Sequence, residues 1–168
     1  MKRWTTFLFS ILLLSSISVK ATHWNQEQLE IIAFTEHLPF AINQDEFAQY
    51  EQHFHPNYQH VSVEQNKHIT VKRDAYLRGK KLWSEFGNYV TFNDVRPIEV
   101  VVKSGFANSK FIRETHFVDH FGRKAKQLEY VDALYEHYKG KWTLVRLATS
   151  DNITDALNKT ESTPLWTE

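Results

Sequence analysis

The chain contains no cysteine, and it has only five glycines, four prolines and one methionine among its 168 residues. Without cysteine it forms no disulfide and offers no thiol nucleophile. We find no Gly-rich phosphate-binding loop and no Gly-x-Ser-x-Gly segment. Lysine and arginine total 20, as do aspartate and glutamate, and the two signs are interspersed. Because nucleic-acid binding depends on a concentrated basic surface, we expect no nucleic-acid partner.

The first 21 residues have the three parts of a secretory signal peptide. Lys2 and Arg3 form a positive start, residues 4–19 carry no charge, and Ala21 is a small residue at the expected cleavage point. The uncharged run is shorter than the roughly 20 apolar residues of a membrane-spanning helix, and no later segment is long or apolar enough to span. We therefore expect cleavage and export to a bacterial periplasm or secretion, because export without disulfides suits a periplasm best. After cleavage, one domain over 22–150 and a polar C-terminal tail over 151–168 are predicted.

Helical periodicity dominates the first half of the mature chain. Pro39 is expected to kink or end the first helix, and Asp45 is expected to cap the second. Alternation of side chains then predicts a short strand before the third helix. The predicted elements are helices over 24–43, 45–54 and 70–86 (or from 72), and a strand over 58–63.

From Tyr89 onward the period of the pattern changes from about 3.6 to 2, which predicts strands. A predicted strand of about fifteen residues indicates a strongly curved sheet. Helices followed by antiparallel strands form an α+β arrangement, in which the helices cover one face of the sheet. The predicted strands are 89–95, 98–103, 110–119, 124–139 and 142–149, with room for a short helix near 155–157.

Three stretches carry a resemblance to a known family: DEFAQYEQHFHPNY (45–58), ITVKRDAYLRG (69–79), and QLEYVDALY with GKWTLV (127–145). In this order of elements the chain resembles the nuclear transport factor 2-like (NTF2-like) superfamily, which includes SnoaL-like and ketosteroid-isomerase-like proteins. The resemblance implies three N-terminal helices packed in a strongly curved antiparallel sheet, a cone-shaped, cystatin-like roll with a pocket inside. It also implies a homodimer through the outer sheet face. It fixes no activity, because isomerases, dehydratases, cyclases and binding proteins share the fold.

The resemblance also suggests residues for chemistry. Isomerase members use a carboxylate base near the first strand and hydrogen-bond donors deeper in the pocket. Asp132 matches the buried acidic donor approximately, but Ser62 stands near the base position and His37 near the first-helix donor position. His37 or His60 could act as a base with Asp132, since imidazole titrates near neutral pH. The alternative is that Asp132 is simply hydrogen-bonded inside the cone.

Aromatic residues make up 14% of the chain, enough to line a pocket as well as to fill a core. Alternation on the predicted strand places three residues on the face of Asp132, namely Leu128, Tyr130 and Leu134. The residues that we expect to line the pocket are Tyr58, Ser62, Trp83, Phe117, Leu128, Tyr130 and Leu134.

Residues 53–68 hold four of the nine histidines. His53 and His55 would point about 200° apart on a helix, so they are poorly placed to bind one ion. Nothing like His-Glu-x-x-His occurs. We expect no metal site and no cofactor. His53 and His55 should face outward or sideways and His68 should lie in a loop, so His60 is the one histidine of the four for which a function is predicted.

The sequence therefore favours an exported binding module that holds a small, largely apolar or aromatic molecule. The missing carboxylate near Ser62 favours binding over isomerase chemistry. Two alternatives stay open: a lyase or isomerase that uses Asp132 with His37 or His60, and a structural or protein-interaction module that acts as a homodimer. Whether the chain is an enzyme is likewise open.

Overall fold

The computed structural model describes residues 23–43, 47–64 and 67–160. The predicted signal peptide, the predicted cap Asp45 and the last part of the tail lie outside these ranges. The fold class is α+β, as predicted, with helices before a six-stranded curved sheet. The elements are α1 (Gln26–His37), a 3₁₀ helix (Leu38–Asn43), α2 (Phe47–Glu51), β1 (Phe54–Glu64), β2 (Lys67–Lys72), α3 (Arg73–Glu85), β3 (Tyr89–Lys103), β4 (Phe106–Val118), β5 (Lys124–Tyr138), β6 (Lys141–Ser150) and α4 (Ile153–Thr160).

The strands lie in the order β2-β1-β6-β5-β4-β3. Neighbouring strands are antiparallel except β1 and β6, which run parallel. This parallel pair departs from the predicted antiparallel sheet. It arises because α3 carries the chain from the β1–β2 edge to the opposite edge, from which consecutive hairpins bring β6 back beside β1.

Two of these hairpins turn through positive-φ pairs. Ser104 and Gly105 have φ of 50° and 80°, and Lys139 and Gly140 have φ of 51° and 82°. Positive φ at both central residues is the signature of the two-residue type I′ turn, whose twist matches that of the flanking strands. These turns fix the register of β3 with β4 and of β5 with β6.

The main core lies between the helices and the sheet face that they cover, which we call the inner face. Ile31 and Thr35 of α1 are buried four residues apart on one side of the helix. The opposite, outer face carries a second, smaller cluster, in which Tyr130 and Ala148 pack under Ala156 of α4. The middle of β5 is therefore buried on both faces.

Several element boundaries differ from the predicted ones. The helix predicted over 24–43 is α1 followed by a 3₁₀ helix, because Pro39 has no backbone N–H to continue the α-helical hydrogen bonds. The second helix ends at Glu51 rather than near Phe54, which already belongs to β1. Residues 67–72 pair with β1 as a strand, so the third helix begins at Arg73.

The strands of the second half lie close to their predicted positions. The predicted break at Arg96-Pro97 is a shift of register between Pro97 and Glu99 within one continuous strand. Helix α4 occupies the place of the short helix expected near 155–157. Within the described residues, no helix is both long and apolar enough to cross a membrane.

Candidate functional site

A cavity of about 160 Å³ lies between the helices and the inner face of the sheet. The 3₁₀ helix, α2 and α3 close it on one side, and strands β3 to β6 close it on the other. Its apolar lining includes Leu38, Ile42, Trp83, Val90, Phe117 and Leu147. Its polar lining includes Lys80, Arg113, Thr115, Gln127 and Glu129.

Arg113 and Glu129 form a buried ion pair in this lining. They are register partners on β4 and β5, and their side chains are 14% and 7% exposed. Arg113 Nε donates to Glu129 Oε1 over 2.8 Å, and Nη2 donates to the same oxygen. Gln127 Nε2 donates to the other carboxylate oxygen over 2.9 Å. Both oxygens of Glu129 are thus engaged.

Glu129 keeps the buried guanidinium of Arg113 positively charged. Burial by itself would lower the pKa of Arg113, because a low-dielectric site disfavours the charged form. The negative charge of Glu129 and its hydrogen bonds outweigh burial and raise the pKa of Arg113 above its usual value. The cavity therefore has a fixed, charged polar group in its wall at any physiological pH.

Three tyrosines stand together beside the ion pair. Tyr50 and Tyr76 line the cavity, and the rings of Tyr58 and Tyr76 are 5.1 Å apart. Burial, followed by interaction with Tyr76, raises the pKa of Tyr50 and of Tyr58 well above the usual value. Both hydroxyls therefore remain protonated.

His60 lies on the inner face of β1 and stacks on Tyr76, with ring centroids 5.0 Å apart. Burial lowers the pKa of His60 to about 4, with further lowering by Lys80 and Arg113 and an opposing effect of Glu129. His60 is therefore neutral near pH 7 and is a weak base. The cavity lining does not include it.

Asp132 lies on the outer face of β5, away from the cavity. It is fully buried, is paired with Lys110 and Ala148 on the adjacent strands, and accepts a hydrogen bond from Asn108 Nδ2 over 3.3 Å. The residues that alternate with it share that face, so the expected placement of Leu128, Tyr130 and Leu134 in the pocket is corrected. The reason is that α4 buries the outer face, which gives both faces of β5 an apolar pattern.

The other predicted acid–base residues are also apart. His37 is exposed in the last turn of α1, where its Nδ1 lies 2.7 Å from the Ala33 carbonyl oxygen. Asp132 is on the outer face and His60 on the inner face. The expectation that Asp132 acts with His37 or His60 is corrected, because the fold does not bring these groups together.

Of the remaining predicted pocket residues, Trp83 and Phe117 line the cavity, with ring centroids 6.2 Å apart. Tyr58 is buried in the main core beside Tyr76. Ser62 lies on the inner face of β1, paired with Thr149 of β6, and is not part of the cavity lining.

The four histidines of residues 53–68 do not form one cluster, because β1 begins at Phe54 and separates them. His55 is buried rather than outward-facing, with Nε2 3.5 Å from Glu136 Oε2 and with Nδ1 accepting from the Asn57 amide. His53 packs edge-on against Phe34, and His68 is exposed on β2 rather than in a loop. Among the described residues, no group of three or more His, Cys, Asp or Glu side chains could hold a metal ion.

Sequence reasoning missed the polar residues of the cavity: Lys80, Arg113, Gln127 and Glu129. One signal was present. The predicted turn around Phe121 makes β4 and β5 a hairpin, and Arg113 and Glu129 each stand eight residues from it. Residues equidistant from a hairpin turn face each other. The sequence could therefore have predicted a cross-strand pair of opposite charge between Arg113 and Glu129.

No family model and no curated protein matches the sequence. Solved structures match the fold. A conserved protein from Planctomyces limnophilus has a TM-score of 0.63 at 10% identity, over 74% of this chain and 94% of that one. A cystatin-like-fold NTF2-like protein from Novosphingobium aromaticivorans has a TM-score of 0.57 at 12% identity, over 82% and 90%. The chain has the NTF2-like fold.

A further structure, a ketosteroid isomerase-like protein from Erwinia carotovora atroseptica, has a TM-score of 0.55 at 16% identity, over 76% of this chain and 97% of that one. Such identities establish the NTF2-like fold and leave the activity to be argued from the site. The predicted fold is thereby confirmed.

Proposed function

We propose that this NTF2-like domain binds a small, largely apolar molecule in its cavity, with one polar group of the ligand facing the Arg113–Glu129 pair. The observation that carries the proposal is the buried ion pair in the wall of a cavity that also offers apolar and aromatic surface. Concave apolar sites with a few convergent polar groups are typical of small-molecule binding.

The energetics of the pair support this role. Replacement of a buried ion pair by well-packed apolar residues is often neutral or stabilising, so stability alone is a weak reason for its presence. Here the pair borders the cavity, and Gln127 donates a hydrogen bond to the second carboxylate oxygen of Glu129. Polar groups fixed in this way are prepared for a ligand without reorganisation.

The same geometry favours binding over proton transfer. Both oxygens of Glu129 accept hydrogen bonds from Arg113 and Gln127, which leaves the carboxylate poorly disposed to act as a base. His60 has a pKa of about 4 and lies outside the cavity lining. A base of such low pKa contributes little to proton abstraction near pH 7.

Native mass spectrometry of the purified protein tests the proposal. We expect a retained small molecule that is lost on denaturation. Thr115→Tyr should abolish retention by filling the cavity, whereas Thr70→Tyr, on exposed β2, should not. The proposal fails if both variants keep the same bound mass, or if no molecule is retained and Trp83 resonances do not respond to small apolar probes.

Export and dimerisation are separate proposals. The signal-peptide pattern of residues 1–21 supports export with cleavage after Ala21, which N-terminal sequencing of the periplasmic protein tests. The exposed apolar residues Val101 and Leu128, 50% and 41% exposed, support a homodimer through the outer face. Sedimentation of the wild type and of Val101→Lys tests the dimer: it predicts a wild-type dimer that the variant weakens.

A further inference from the structure

We infer that the ligand of this cavity is a monocarboxylate on an apolar body about the size of one ring. Its carboxylate would bind the outer edge of the Arg113 guanidinium, and Lys80 would supply a second positive charge. This inference rests on the proposed function, because it specifies the ligand of the same cavity.

The charged residues that line the cavity do not balance. Lys80 and Arg113 are cationic and Glu129 is anionic, so the lining residues leave one positive charge uncompensated. Lys80 and Arg113 each lower the pKa of His60 by their charge, while Glu129 alone opposes them. The net field in this region is therefore positive, which favours a ligand with a single negative charge.

One edge of the Arg113 guanidinium is already hydrogen-bonded to Glu129. Its Nε and Nη2 atoms donate to Glu129 Oε1, which occupies the side-on edge. Within the described residues, Nη1 has no hydrogen-bond acceptor. The end-on edge formed by Nη1 and Nη2 is thus open. A planar carboxylate matches such an edge with two parallel hydrogen bonds.

Lys80 presents an ammonium group with aromatic neighbours. Its Nζ lies 5.4 Å from the Tyr76 ring centroid and 6.0 Å from that of Trp83. No carboxylate of the described residues is at salt-bridge distance from it. The next residue differs: Lys81 is 56% exposed, and its Nζ is 3.8 Å from Glu85 Oε1. Among the cations of α3, Lys80 is therefore the one that lines the cavity.

The size and shape of the cavity restrict the ligand's body. A volume of about 160 Å³ is close to that of an engineered apolar cavity of about 150 Å³ that binds benzene. Trp83, Phe117 and Leu147 offer apolar surface for one ring. A dianion such as a phosphate monoester would exceed the single uncompensated positive charge and would be penalised by burial.

Calorimetric titration with benzoate, its neutral isostere benzamide and phenyl phosphate tests the inference. We expect benzoate to bind about tenfold or more tightly than benzamide, because an ionised acceptor strengthens the hydrogen bonds of Arg113. Lys80→Gln should weaken benzoate binding by about tenfold and benzamide binding by much less, because the lost charge acts mainly on the ionised ligand. Lys81→Gln is the matched control and should bind benzoate within about twofold of the wild type.

The results that would contradict the carboxylate inference differ from those that would contradict the proposed function. Equal affinity for benzoate and benzamide, or equal effects of Lys80→Gln and Lys81→Gln, would overturn the carboxylate inference and leave cavity binding intact. Tighter binding of phenyl phosphate than of benzoate would overturn it in favour of a dianion. If no probe binds and Thr115→Tyr changes nothing in native mass spectrometry, both the inference and the proposed function fall.

Discussion

The guanidinium of Arg113 and the carboxylate of Glu129 face each other across the β4–β5 ladder, with Nε 2.8 Å from Oε1. The ladder fixes their backbones, and Gln127 holds the carboxylate from its other side. The pair is therefore a rigid polar element of the cavity wall, and the site depends on the register of one hairpin.

Loss of one partner of this pair should be costly. Glu129→Gln removes the negative charge and leaves Arg113 charged and buried, so we expect the free energy of unfolding to fall by about 3 kcal/mol. Urea denaturation measures it. The control is Arg123→Gln, because Arg123 pairs with Asp119 at the surface with its own side chain 74% exposed, and exposed pairs contribute about 0–1 kcal/mol. Similar losses in the two variants would show that the buried pair has no special role in stability.

Stability should fall in acid because of His60. Its folded pKa of about 4 lies below the usual histidine pKa of about 6.5, so between these values the unfolded chain binds more protons than the folded one. The contribution of neutral His60 is fully present above about pH 6.5 and is lost as the pH falls toward 4, by up to about 3 kcal/mol. Burial is the main cause, and the charges of Lys80 and Arg113 add to it against that of Glu129.

Unfolding at a series of pH values tests this prediction. His60→Gln should flatten the pH dependence between pH 7 and pH 4, whereas His37→Gln, at an exposed position, should leave it as in the wild type. Titration of the His60 ring by NMR gives its pKa directly. A measured value near 6.5 would refute the prediction.

The hydroxyl of Tyr135 should stabilise the deep part of the cone. It lies 2.7 Å from Thr35 Oγ1 and accepts a hydrogen bond from Ser109 Oγ over 3.3 Å, and all three residues are buried. Tyr135→Phe removes the oxygen and leaves Ser109 without this acceptor, so we expect a loss of about 1–2 kcal/mol. Tyr89→Phe, 46% exposed, is the control and should change stability by less than about 0.5 kcal/mol. A neutral Tyr135→Phe would mean that the hydroxyl network adds nothing to stability.

Much of the sheet was predictable from sequence because its signals are local. Turn residues such as Gly105, Gly122 and Gly140 mark the hairpin ends, and the segments between them are rich in strand-forming residues. The start of the third helix was less predictable, since residues 67–72 form a strand only because β1 lies beside them. Helix–strand competition of this kind is decided by tertiary contacts.

The orientation of β5 was not predictable from its own pattern. Five consecutive residues from Glu129 to Ala133 are buried, because α4 covers the outer face while the helices cover the inner one. Alternation then gives no sign of which face is inner. The sequence therefore predicts that the face of Asp132 lines the pocket, whereas the face of Glu129 lines it in the structure. Only the cross-strand charge pair with Arg113 distinguished the two.

Replacement of glycine by alanine should lower the free energy of unfolding at Gly140 and raise it at Gly79. Gly140 has a φ of 82° in the turn between β5 and β6. A side chain at such a left-handed backbone conformation costs about 1–2 kcal/mol. Gly140→Ala should therefore lower the free energy of unfolding by about that amount. Gly79 lies in the interior of α3 with nothing within 4 Å of an added Cβ. Gly79→Ala should therefore raise it by about 0.5–1 kcal/mol, because alanine loses less backbone entropy in a helix. Each variant is the other's control in thermal unfolding, and a loss of stability in Gly79→Ala would contradict the helical environment of α3.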